Sequence, residues 1–206
     1  MTGKILEKAK AADQVFRQCD RTWAQFKHLQ KGLEGSPGVR LAFYNGVVEI
    51  FMPGQAHEIF KKIIGFLLEL FFFETGINVV PTGSVTQEQE GEASAQADES
   101  YCFGAAKPIP DLSIEVIFTS GSVAKLKRYQ ALGVPEVWFW QDGLFTLHRL
   151  EDSGYVQVER SQMPELAALD LALLTRCVLM GETNWLGAVT AFRQGISKAG
   201  GEATEL

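Results

Sequence analysis

Residues 110–140 read PDLSIEVIFTSGSVAKLKRYQALGVPEVWFW, and the rest of the chain is understood outward from them. The first eight form a strand by their alternation. Leu112, Ile114, Val116 and Phe118 share one face, and Asp111, Ser113 and Glu115 share the other, because successive strand side chains point to opposite sides. Ser122 is placed to cap a helix that runs to Leu132, with Gly133 as its stop. VPEVWFW then reads as a buried strand, its Trp138 and Trp140 explained by core packing rather than base stacking. The two carboxylates on one side of an apolar strand mark either a solvated sheet face or a metal site.

Upstream, VRLAFYNGVVEIFMP (39–53) predicts two strands around Asn45-Gly46, the pair favoured in a tight type I′ hairpin. A helix follows from about His57 to Thr75, ended by Gly76. INVVP and GSVTQEQ are strand candidates, QEQEGEASAQ (87–96) reads as a mobile polar loop, and ADESYCFG is a short strand. Downstream, GLFTLHRL and GYVQVER predict a closing hairpin around EDSG. The first thirty residues read as polar helix, and the tail from Pro164 as one or two helical segments with a disordered last ten residues. The order predicts a mixed α/β sheet in one domain over residues 22–180, with an N-terminal helical extension (1–21) and a C-terminal helical segment and tail (181–206).

Composition narrows the function classes. A 206-residue chain that is 46% hydrophobic with 14 Phe has enough apolar side chains for a sizeable core. The net charge of −6 lacks the broad positive field of a simple DNA-binding module, so any nucleic-acid contact must be local. Lys61, Lys62, Lys125, Lys127 and Arg128 are the candidates for such a patch. Three scattered cysteines argue against structural zinc and a disulfide framework and suit a reducing cytoplasm. The charged start of the chain does not read as a signal peptide, and IIGFLLELFFF (63–73) is too short to span a membrane. A GxSxG elbow, a GxGxxG loop and a P-loop are all missing, which removes support for a serine hydrolase and for a nucleotide cofactor.

The carboxylates hold the chemistry. If helices cover both faces of the sheet, Asp111 and Glu115 require compensation by positive charge, and Mg²⁺ takes carboxylate oxygens while retaining waters. Lys125, in the first turn of the following helix, could orient a water or neutralise charge on a phosphoryl group. Asp98 can bring a third carboxylate if its strand pairs beside 111–118. His57 could contact a phosphate or sit buried as a structural residue, Glu49 could orient the site or face solvent, and Lys127 is the alternative to Lys125. Glu58, beside His57, is explained by the helix macrodipole.

The succession RLAFYNGVVEIFMP, HE at a helix start, GSVT, ADESYCFG, PDLSIEVIFTSG, KLKRY and GVPEVWFW, spanning about residues 22–175, resembles the Uma-type family of bacterial putative restriction endonucleases in the PD-(D/E)XK nuclease superfamily. The resemblance implies a restriction-endonuclease-like fold, a mixed central sheet flanked by helices, to which the hairpin read from GLFTLHRL and GYVQVER is a C-terminal β-hairpin extension. It also implies Mg²⁺-dependent cleavage of DNA phosphodiesters, with Mn²⁺ able to substitute. The superfamily's metal-binding acid matches Asp98, or Asp111 as a second candidate, and its glutamate matches Glu115. The plain motif would put lysine at the position of Ile117, so the amine must come from Lys125 or Lys127. If neither amine reaches the site, the chain is a nuclease-fold binding or assembly protein. Cutting both strands of a duplex needs two sites, which implies a homodimer.

Overall fold

The structure is a computed structural model that describes residues 12–118 and 122–202. In chain order it comprises β1 (Gln14–Gln18), α1 (Trp23–Gly32), β2 (Arg40–Tyr44), β3 (Val47–Met52), α2 (Gln55–Thr75), β4 (Val79–Pro81), β5 (Thr86–Gln89), β6 (Ala93–Gln96), β7 (Glu99–Phe103), β8 (Leu112–Ile117), α3 (Ser122–Leu132), β9 (Glu136–Gln141), β10 (Leu144–Glu151), β11 (Gly154–Val158), α4 (Leu171–Gly181) and α5 (Trp185–Glu202). The strands make two sheets, ordered β1-β3-β2-β6-β5 and β11-β10-β9-β8-β7-β4. Every pairing is antiparallel except β8 with β9, which run parallel through the α3 crossover.

All six residues of β8 are buried, because both faces of its sheet are covered. Leu112, Ile114 and Val116 pack with Phe60, Ile64 and Trp138 in the core under α2, α4 and α5. On the other face α3 lies between the two sheets, where Tyr129 and Leu132 meet Ala93, Ala95, Val137 and Phe139. A solvated Asp-Ser-Glu face is thereby excluded for Ser113 and Glu115, which are enclosed between sheet and helix.

The Asn45-Gly46 hairpin is as read: both residues have positive φ, 48° and 74°, as a type I′ turn demands. Gly76 ends α2 in the left-handed region at φ 69°. Trp138 and Trp140 are core residues at 0% and 2% exposure. Three expectations are corrected. Gln14–Gln18, read as helix, is an edge strand on β3; the part of that helix in residues 1–11 lies outside the described residues. Residues 87–96, read as a mobile loop, are mostly the β5–β6 hairpin. Its Ala93, Ser94 and Ala95 are fully buried, and Gln87 exchanges hydrogen bonds with Ser113. Small side chains let α3 approach the sheet there, and that close approach orders a segment whose composition is polar. Finally, α5 continues to Glu202, into the stretch read as disordered.

Candidate active site

The β7–β8 register decides the site. Glu99 pairs with Ile114 and Ser100 with Ser113, so extending the ladder by one step sets Asp98 opposite Glu115. The Asp98 N–H indeed donates to the Ile114 carbonyl at 3.0 Å. Directly opposed residues of an antiparallel pair project to the same face. Two carboxylates, 0% and 2% exposed, thus meet on the covered side of the sheet, an arrangement that is costly without positive charge around it.

That charge comes from three elements, β2, α2 and α3. Arg40, at the start of β2, hydrogen-bonds Asp98 through one guanidinium nitrogen and Glu58 through the other at 2.9 Å. His57, in the first turn of α2, donates Nε2–H to Asp98 Oδ1 at 2.7 Å and Nδ1–H to Asp13 Oδ2 at 3.1 Å. Asp13 also accepts from the Gly54 N–H that opens α2, at 2.7 Å. The second Asp98 oxygen accepts the Val116 N–H at 2.6 Å. Burial by itself pushes the Asp98 carboxyl up, but the His57 hydrogen bond and the charges of His57, Arg40 and Lys125 outweigh it and hold the group well below the usual carboxylate range. Burial likewise lowers His57, yet bonds to Asp13 and Asp98 dominate and raise it to about 9, so the imidazolium is the form at neutral pH.

Glu115 is held from α3. Lys125 and Tyr129 stand four residues apart on one helical face, and each donates to a different Glu115 oxygen. Burial and the adjacent Glu115 charge push the Tyr129 hydroxyl well above its ordinary value, so it stays a donor. Lys125 therefore reaches the carboxylate pair from the helix, where the plain motif position is Ile117.

Glu49 in β3 lies at the rim of this cluster. It bonds Arg17 at 2.8 Å and Arg128 at 3.5 Å, and it lines the same cleft as Arg40, Glu115, Lys125 and Arg128. Burial raises the Glu49 carboxyl, but Arg128, Arg17 and Lys125 together bring it below its usual value. The Arg128 Nε is buried and has no hydrogen-bond partner among the described residues. Lys127 lines a separate concavity with Arg17, Tyr44 and Val47, also bordered by Glu49, and is not among the groups on the carboxylate pair.

Asp111 does not join the cluster. It precedes β8 at the end remote from the site, ~13 Å along the strand from Glu115 at 3.3 Å per residue. There it accepts from the Phe103 N–H at 2.8 Å and from Lys107. Strand alternation correctly gave Asp111 and Glu115 one face but could not place them at one end. Accordingly, among the described residues no group of three or more His, Cys, Asp or Glu side chains forms a metal-type cluster. The donor set is two opposed carboxylates, Asp98 and Glu115. Hard oxygens in that number fit Mg²⁺, which binds through one or two carboxylates and completes its shell with waters and substrate phosphates.

Arg40, Tyr129 and Asp13 were missed from the sequence. Tyr129 was accessible, since the spacing Lys125–Tyr129 is one helical turn. Arg40 and Asp13 carried no local signal, because both act across the fold.

Two sheets enclosing the crossover helix α3, with Asp98 and Glu115 buried between them and Lys125 donating to Glu115, make a mixed α/β fold. A crystal structure described as "a putative nuclease belonging to DUF820" from Anabaena variabilis superposes with a TM-score of 0.55 over 76% of this chain and 98% of that one, at 13% identity. No curated protein shows significant similarity. A family model described as "Putative restriction endonuclease" matches residues 23–179, and the chain belongs to that family, Uma2.

Proposed function

We propose that the protein is a Mg²⁺-dependent endonuclease that hydrolyses DNA phosphodiester bonds. The observation that supports this best is the opposition of Asp98 and Glu115 across the β7–β8 ladder, with Lys125 on the same carboxylate pair. Asp98 and Glu115 would hold the cation, which when bound supplies a Lewis acid for the phosphoryl oxygen and a more acidic water. The chain's own residues do the rest. Tyr129 fixes one Glu115 oxygen, and Arg40 with His57 keeps Asp98 ionised. The Lys125 ammonium, which donates to Glu115, would donate to a phosphoryl oxygen as charge develops there.

A second reading, a catalytically inactive nuclease-fold binding or assembly protein, also has an observation behind it. Each oxygen of Asp98 and Glu115 already accepts from a protein donor. The cleft beside Glu115 encloses only about 10 Å³, room for one water.

Titration calorimetry of Mn²⁺ into the wild type and Glu115→Gln, alone and with an uncleavable phosphorothioate duplex, separates the two. The endonuclease reading expects saturable binding that the variant loses, together with divalent-dependent nicking of plasmid DNA by the wild type only. Cleavage by Glu115→Gln at the wild-type rate would remove Glu115 from the chemistry. Folded wild type that neither binds Mn²⁺ with DNA present nor cuts would establish the inactive reading. Running DNA, RNA and a small phosphodiester side by side fixes the substrate class.

A further inference from the structure

Helix α2 carries a second stripe that the fold does not use. Its core face is buried through Phe60, Ile64, Leu67, Leu68, Phe71 and Phe72, while the opposite side exposes Ile59, Lys62, Phe66, Glu69 and Phe73. These positions alternate in steps of three and four, the spacing of a helix–helix seam. Their apolar members are far from buried: Ile59 is 39% exposed, Phe66 42% and Phe73 80%. Helix α5 lies beside the stripe and extends it. Trp185 stacks on Phe66 with ring centroids 4.8 Å apart, and Arg193, eight residues on, bonds Glu74, eight residues on from Phe66, at 2.7 Å. The two helices therefore run parallel, and Trp185 at 42% and Leu186 at 75% exposure broaden the surface.

We propose that this face is a homodimer interface in which α2 packs antiparallel on α2 of a second copy, about a two-fold axis at Phe66. The stripe is self-complementary about that point. A two-fold operation sets Phe66 against its own copy and brings the smaller Ile59 opposite the larger Phe73. It also carries Lys62, four residues before the axis, to the neighbourhood of Glu69, three residues after it, twice over. A parallel pairing would instead align Lys62 with Lys62 and Glu69 with Glu69. The area is sufficient as well. At 150–250 Å² per aromatic side chain, the exposed fractions of Phe66, Phe73 and Trp185 leave roughly 250–400 Å² per copy, and Ile59 and Leu186 bring the apolar surface to roughly 500 Å². Pairing two copies removes about 1,000 Å², the threshold of a specific interface. Nothing in this inference depends on the catalytic reading, since it uses none of the Asp98–Glu115 residues.

Sedimentation equilibrium of the full chain tests it. The wild type is expected at twice its 22.7 kDa mass at about 10 μM or above, and Phe66→Glu/Phe73→Glu at the monomer mass with an unchanged far-ultraviolet spectrum. Phe73→Glu alone, at the most exposed of these sites, gives the same direction without touching the Trp185 stack. Lys62→Glu is expected to weaken association at least tenfold, and Lys62→Glu/Glu69→Lys to restore it. In a Cys19→Ser background, Phe66→Cys should link to its own copy under mild oxidation. Wild type that stays monomeric at about 100 μM, a dimer that survives Phe66→Glu/Phe73→Glu, or a charge swap that fails to restore association would each overturn the proposal.

Discussion

A single imidazole, His57, joins the two ends of the site's electrostatics: Asp13 from β1's approach on one nitrogen and Asp98 on the other. Because its folded value, about 9, lies above its ordinary 6.5, the stabilisation it provides is fully present below about pH 6.5 and is lost as pH rises through 9. Asp98 is depressed, so its contribution is present above the normal carboxylate range and lost in acid. Wild type is therefore expected to be most stable between about pH 4.5 and 7 as far as this pair decides it. His57→Gln should cost about 2–3 kcal/mol at pH 6 and little at pH 10, read as urea midpoints. The neighbouring residue behaves oppositely. Glu99 points to the other face, against α2, where a Cβ on Gly65 would stand 3.1 Å from its carboxyl carbon. Burial raises Glu99 to about 7, with Lys61 and Lys62 opposing the shift. An acid raised on folding destabilises the native state once pH exceeds its unfolded value. Glu99→Gln is thus expected to gain on the order of 2 kcal/mol at pH 8 and nothing at pH 4. Equal midpoints for the two proteins at pH 8 would show that the Glu99 carboxylate is not desolvated.

Elements differ in how much of themselves they announced. β8, α3 and β9 were legible because alternation and the stop at Gly133 (φ 73°) agreed, and the Asn45-Gly46 turn specified its own hairpin. The β6 arm of its hairpin with β5 was not, although GSVTQEQ reads as a strand over β5, since Ala93, Ser94 and Ala95 carry no β-branched or aromatic signal. What makes them strand is the space they leave for Tyr129 and Phe139, which only the assembled fold contains. The same distinction explains the site. Local pattern and resemblance grouped Asp98, Glu115 and Lys125, which the structure brings together, with Asp111, which it places at the other end of β8, because a two-residue period fixes a face and not a position along the sheet. Ala95→Leu checks this account. It overfills the seam between β6 and α3 and should cost about 1–3 kcal/mol. By moving Tyr129 off Glu115 it should also lower Mn²⁺ affinity, while Gly46→Ala, strained at φ 74° but remote from Glu115, lowers stability alone.

At the scale of the molecule, the question is how a chain of net charge −6 meets a polyanion. The cations nearest the site do not form a free patch: Lys125 is on Glu115, Arg40 on Asp98 and Glu58, Arg128 on Glu49, and Lys61 is within 3.7 Å of Glu58. A phosphate approaching Asp98 and Glu115 meets carboxylates as well as donors, and the long-range field repels it. On the proposed reading, Asp98 and Glu115 would hold a divalent cation whose charge would offset theirs, leaving Lys125 free to face the substrate. Duplex binding is therefore expected to be weak in EDTA and to tighten at least tenfold with Ca²⁺, with a shallow salt dependence because few phosphates are contacted. In Glu115→Gln, Ca²⁺ should lose its effect. Gel-shift titrations at two salt concentrations measure all three quantities. Binding that is tight in EDTA and steeply salt-dependent would mean that the duplex lies on a basic surface elsewhere and that the carboxylate pair does not organise substrate.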